Sequence, residues 1–188
     1  MTDKMIIDNF YTNPDDIRKW ALQMPFFVRG SFPGLRTPSV ADPLFTNLKG
    51  HFERLLDKKI TYWPTDYNTS FQYTLGNHHS WVHHDGGTEY AAVVYLTPDA
   101  PPESGTCFYQ HKHSKVFKHE EGKLDYNEFL QDQDDWEEID RIDNVFNRCA
   151  LYRGDHYHRS SLVGFGTNKW NARMFQTFFF STSDHYKG

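Results

Sequence analysis

At 188 residues the chain is long enough for one domain with a sizeable core and short for two. Hydrophobic residues at 38% and charged residues at 24% exclude a disordered chain, and a formal charge of −5 disfavours nucleic acid as a partner. The longest apolar run, Tyr90 to Leu96, is too short to span a bilayer, so no membrane partner is expected.

In chain order, the first twelve residues lack the long apolar core of a signal peptide, and Ile6 and Ile7 open a short strand. Asn13-Pro14-Asp15-Asp16 predicts a helix start with an Asx cap, proline at the first position and acids at the positive end of the dipole. Ile17, Trp20, Ala21 and Met24 follow as its apolar stripe. A second helix is predicted from Asp42-Pro43, with Leu44, Phe45, Leu48, Phe52, Leu55 and Leu56 on one face. Gly30 to Pro38 reads as the loop between them.

From Ile60 the period changes to two, with Phe71, Tyr73 and Leu75 alternating with Gln72 and Thr74. Tyr90 to Thr97, Thr106 to Gln110, Asn147 to Arg153 and Arg173 to Ser181 are further strands. Short strands divided by turns predict a sandwich or barrel, and an aromatic share of 17% suits such pleated surfaces and a lined cavity. An acidic segment, Asp125 to Asp143, reads as a helix inside an insertion at about 114–146. Asp125 and Glu128 are spaced like a capping box there, with Phe129, Leu130 and Trp136 as its apolar residues. The expectation is one domain over residues 1–188, mainly β, with N-terminal helices at about 14–57. Cys107 and Cys149 lie in strand-like segments and read as buried free thiols, consistent with a reducing cytoplasm.

The chemistry centres on Trp81-Val82-His83-His84-Asp85-Gly86. In an extended chain His83 and Asp85 point to the same face, and an imidazole beside a carboxylate suits a divalent transition metal. Downstream, His156 and His158 follow an apolar strand, and either supplies a third ligand. Two histidines and one carboxylate form the facial triad of Fe(II) oxygenases. The H-x-D triplet alone is weak, and polar turn residues are its bland explanation. Its position between strands, with a later histidine and then Arg173, strengthens it. Arg173 opens an aromatic run, Phe175, Phe178, Phe179 and Phe180, where an unpaired guanidinium is expensive to bury. His78, His79, His84, His111, His113 and His119 read as loop histidines, with His84 or His111 as further candidates to line a pocket.

These elements in this order resemble the 2-oxoglutarate/Fe(II) oxygenase superfamily, in particular its prolyl-hydroxylase-like branch and a bacterial and phage group within it. The resemblance covers Phe71 to Tyr109 and Leu151 to Phe180. Tyr73-Thr74-Leu75-Gly76 is similar to the Tyr-x-x-Gly before the metal motif, and His83-His84-Asp85 to the H-x-D. Ala92 to Thr97 is similar to the strand ending in Tyr-Leu-Asn, and Glu103 to Phe108 to Glu-Gly-Gly-x-Leu-x-Phe. His158-Arg159-Ser160 with Arg173 resembles the distal histidine and the co-substrate arginine, which favours His158 over His156. Ser104 departs from the first glycine, and Phe175 from a serine that many relatives carry.

The resemblance implies a double-stranded β-helix (jelly-roll) in which His83, Asp85 and His158 hold Fe(II). Arg173, with Tyr73 and Tyr95, would hold the far carboxylate of 2-oxoglutarate. It further implies O2 as co-substrate, and hydroxylation of a C–H bond with release of succinate and CO2. The substrate, whether small molecule, amino acid or peptide, is not legible, and neither is the oligomeric state. Competing expectations are a non-catalytic jelly-roll binding module, a cupin-like metal enzyme without 2-oxoglutarate, and a Zn(II) hydrolase.

Overall fold

The computed structural model describes residues 3–40, 47–124 and 132–183. In chain order the elements are β1 (Lys4–Ile7), α1 (Pro14–Gln23), β2 (Val28–Gly30), β3 (Phe32–Arg36), α2 (Leu48–Leu56), β4 (Phe71–Thr74) and β5 (Tyr90–Tyr95). They continue with β6 (Thr106–His111), β7 (Trp136–Ile142), β8 (Cys149–Arg153), β9 (His158–Ser160) and β10 (Arg173–Phe180). The larger sheet runs β1-β8-β5-β10-β4-β3-β2 and the smaller β7-β6-β9. Every strand pair is antiparallel.

Alternation along the central strands builds the layers. On β5, Ala91, Val93 and Tyr95 enter the core between the sheets, with Phe108, Ile142, Ala150, Tyr152 and Phe175. Ala92, Val94 and Leu96 point the other way and pack with Ile17 and Ala21 of α1 and Leu48 and Phe52 of α2. The result is a mainly β jelly-roll with both helices against one face of the larger sheet. None of the helices among the described residues is long and apolar enough to cross a membrane.

Phe52 joins the helical layer to the sheet. It is fully buried, with ring centroids 5.2 Å from Phe178, 5.0 Å from Phe180 and 5.5 Å from Phe10. Removing such a ring forfeits its transfer free energy and leaves a cavity, so Phe52→Ala is expected to destabilise the fold by roughly 3–5 kcal/mol. Urea unfolding measures this loss.

Several expectations need correction. Asn13 precedes α1, but its side chain makes no capping hydrogen bond; Pro14, Asp15 and Asp16 carry the helix start. The start expected for α2 at Asp42-Pro43 lies outside the described residues. Gly30 to Pro38 is not a plain loop, because β2 and β3 form a hairpin there that extends the larger sheet beyond β4. Gly34 makes this possible: its φ is +82°, and a Cβ would stand 2.0 Å from the Tyr73 carbonyl oxygen.

The acidic segment is not helical over Trp136–Ile142, which is β7. Pairing of Trp136 with His111 and of Ile142 with Thr106 buries both ends of that strand, and this long-range burial overrides local helical spacing. Glu137 and Glu138 remain exposed on what is an edge strand, where charge discourages further pairing. Asp125 and Glu128, with Phe129 and Leu130, lie outside the described residues. Cys107 on β6 and Cys149 on β8 are buried and free, as expected.

Candidate metal and co-substrate site

Sequence-distant segments meet through a small antiparallel bridge. The His83 amide donates to the His158 carbonyl at 2.9 Å, and the His158 amide donates back at 2.8 Å. Their rings lie side by side, with centroids 4.4 Å apart. Two residues on, the Asp85 amide donates to the Gly154 carbonyl at 2.6 Å, tying the H-x-D segment to the end of β8. Glycine is needed there, since a Cβ on Gly154 would stand 2.5 Å from the Thr88 carbonyl oxygen and 2.9 Å from that of Asp85.

This framework brings His83, Asp85 and His158 together, with one donor atom from each inside a 4.8 Å group. Asp85 Oδ2 lies 3.3 Å from His158 Nε2. The other ring nitrogens are engaged: His83 Nδ1 meets the Trp81 carbonyl at 2.9 Å and His158 Nδ1 the His156 carbonyl at 2.8 Å. A carbonyl only accepts, so each Nδ1 carries a proton and each Nε2 is left facing the shared space. Burial and the adjacent His158 push the His83 imidazole down to about 4, so it is neutral at pH 7. Burial opposes ionisation of Asp85, but His158, His83 and Arg36 together hold its carboxyl below the ordinary range.

His156 takes a different place. Its ring packs on Phe117 at 5.6 Å, and it reaches the cluster only through its carbonyl. His84 stacks on His119, with centroids 4.1 Å apart, and lines an outer cavity of about 290 Å³. His111 pairs with Ser114 at 2.9 Å and lies outside both cavities described here.

The cluster opens into an inner cavity of about 70 Å³, which Arg173 also lines. Arg173 is buried at 4% exposure between the Tyr95 and Phe175 rings, 5.4 and 4.4 Å from the guanidinium. Its Nε donates to the Ser104 carbonyl at 2.8 Å and its Nη2 to the Gly105 carbonyl at 3.2 Å. Nη1 has no hydrogen-bond partner among the described residues. A buried cationic donor without a partner is costly unless an acceptor completes it. Tyr95 stands beside it, with its hydroxyl 2.8 Å from Thr106 Oγ1, and Thr106 lines the cavity.

Tyr73 stands on the other face of its strand. Met174, its partner on β10, belongs to the helical layer, and Tyr73 packs there against Phe26 with centroids 5.0 Å apart. Strand parity gives the cavity position to its neighbour Gln72 instead. The sequence reasoning also missed Arg36, Thr106 and Thr177 as lining residues. Gln72 was accessible from the alternation along β4, whereas the resemblance singled out Tyr73 and no local signal marked Arg36.

Solved structures share this architecture. One is a prolyl hydroxylase from Trichoplax adhaerens in complex with a hypoxia-inducible-factor peptide fragment. It is 13% identical, with a TM-score of 0.61 over 99% of this chain and 86% of that one. A second is HygX from Streptomyces hygroscopicus with nickel, 2-oxoglutarate and hygromycin B bound, 14% identical, TM-score 0.64, covering 97% and 84%. A prolyl-4-hydroxylase from Pseudomonas putida is 12% identical, TM-score 0.55, covering 96% and 92%. No curated protein matches the chain by sequence. The fold is thus that of the 2-oxoglutarate/Fe(II) oxygenases, prolyl hydroxylases among them. By a sequence match over residues 2–164, the chain belongs to the family of unknown function DUF6445.

Proposed function

We propose that the protein is an Fe(II)- and 2-oxoglutarate-dependent oxygenase that hydroxylates a C–H bond. One observation carries this reading: a two-histidine, one-carboxylate cluster shares a cavity with a buried arginine whose Nη1 has no hydrogen-bond partner among the described residues. The donor set fits the metal, since two imidazole nitrogens and one carboxylate suit Fe(II) and leave coordination positions open. His83, Asp85 and His158 would hold it. Bound Fe(II), 2-oxoglutarate and O2 supply oxidation of a C–H bond coupled to release of succinate and CO2.

The chain's own share is orientation and exclusion of water. The Trp81 and His156 carbonyls fix both ligand imidazoles in one tautomer. Arg173 would donate from Nη1 to the far carboxylate of 2-oxoglutarate, its other nitrogens anchored on Ser104 and Gly105. Tyr95 and Thr106 would complete that end, and Phe175 shields it. The similar proteins are bound to a peptide fragment in one case and to hygromycin B in another, which supports a peptide or small-molecule substrate here.

The test is a visible spectrum of the full chain with Fe(II) and 2-oxoglutarate in the absence of oxygen. A weak metal-to-ligand charge-transfer band is expected, together with its loss in Arg173→Ala and His83→Ala. Iron binding without the band would favour a cupin-like enzyme. No iron binding would leave a jelly-roll binding module as the better account.

A further inference from the structure

Arg36 lines both the inner cavity and the outer one. It lies opposite Gln72 across the β3–β4 pair, and its Nε donates to Gln72 Oε1 at 2.6 Å. Gln72 is held in turn, its Nε2 donating to the Pro33 carbonyl at 2.6 Å. The Phe32 ring lies 3.8 Å from the guanidinium carbon, and the Phe179 ring 5.9 Å away. A hydrogen bond and two rings thus pin the head group and remove much of the rotamer freedom that an arginine normally loses on binding.

Two other arginines near this site are consumed by the protein. Arg153 pairs with Glu89 at 2.6 Å, and Arg159 donates to Tyr109 and Gln133 at 3.1 and 2.9 Å. Arg36 has no salt bridge among the described residues, and its two terminal nitrogens donate to none of them. Burial lowers its pKa only to about 10, with Asp85 opposing the fall, so it remains charged at neutral pH. A pinned, charged fork with two unused donor nitrogens is a receptor for a planar anion. Among the described residues, no lysine or second arginine lines the outer cavity. A single positive charge matches a carboxylate better than a phosphate dianion.

We infer that Arg36 is a specificity-determining residue that binds a carboxylate of the substrate, which enters through the outer cavity while 2-oxoglutarate occupies the inner one. The inference rests on the oxygenase reading and narrows it to carboxylate-bearing substrates. Seated on Arg36, such a substrate lies beside Asp85 and His83, which line the same two cavities.

The experiment uses the full chain with Fe(II) and saturating 2-oxoglutarate, without oxygen. Acetate, phenylacetate and 3-phenylpropionate are titrated, each against its primary amide, with calorimetry and the charge-transfer band followed in parallel. At least one acid is expected to bind more tightly than its amide by roughly ten- to a hundredfold, the value of charge-assisted hydrogen bonds. It should perturb the band without abolishing it. Arg36→Gln should erase the preference while the band remains, and Arg36→Lys, which keeps the charge but not the fork, should recover only part. Three results would overturn the inference: no acid preferred over its amide, a preference that survives in Arg36→Gln, or loss of the band in that variant, which would place Arg36 on 2-oxoglutarate. Absence of the band from the wild type would defeat the oxygenase reading instead. The acid preference, measured by calorimetry, would still decide whether Arg36 is an anion site.

Discussion

Asp85→Ala is expected to weaken Fe(II) binding by at least about a hundredfold, since replacing groups that merely support a ligand already reduces affinity 10–100-fold. Asp85 is the only carboxylate in the cluster and supplies its negative charge. Without it, two imidazoles remain, and the charge of Arg36, which Asp85 partly balances, then opposes a cation. Succinate formation should disappear with the metal. The fold should survive, because burial disfavours the ionised carboxyl and the main-chain bond from Asp85 to Gly154 does not use the side chain. Iron affinity measured by competition with a chromophoric chelator, beside thermal melting of the metal-free protein, separates the two effects. Wild-type iron affinity in a folded Asp85→Ala protein would falsify the triad.

The second large effect comes from a residue without a side chain. In Gly154→Ala the new methyl would meet the Thr88 and Asp85 carbonyl oxygens at 2.5 and 2.9 Å. Both are backbone atoms, so neither can swing aside as a flexible side chain would. Overpacking of this kind typically costs about 1–3 kcal/mol. The strain falls on the joint that positions Asp85, whose amide donates to the Gly154 carbonyl, while the Gly154 amide donates to Glu89 at 2.9 Å. Iron affinity should therefore fall along with stability, by roughly 10–100-fold if the shift acts as loss of a supporting group does. Gly87→Ala provides the contrast. A Cβ there has nothing within 4 Å, so stability should stay within about 0.5 kcal/mol of wild type. Equal melting temperatures for the two variants would show that the Gly154 contact is relieved without consequence.

The parts of the molecule legible in the sequence are those governed by short-range periodicity. The two-residue period over Phe71–Leu75 and the short strand-like runs between turns made the β class readable, and extended-chain alternation placed His83 and Asp85 on one face before any partner was known. Parity also bears on where Tyr73 stands. On β4 the alternation shows that Tyr73 and Gln72 face opposite ways, but not which side holds the cavity; the pairing of Met174 with Tyr73 and of Phe175 with Gln72 decides that. The acidic segment followed the same logic, its spacing allowing a helix until β6 recruited Trp136–Ile142 as a strand.

The choice between His156 and His158 could not come from spacing, because two residues apart on an extended chain they face alike. The reciprocal hydrogen bonds to His83 bring His158 into the cluster and leave His156 against Phe117. Arg36 carries no local mark at all; the β2–β3 hairpin, brought close to β4 at Gly34, carries it to the cavity. The sequence by itself therefore determined the alternating strands, the amphipathic helices and the kinds of residue available as ligands, because neighbours along the chain set those. Only the tertiary structure decided which residues share the site, because sheet register and strand parity arise from contacts between segments far apart in sequence.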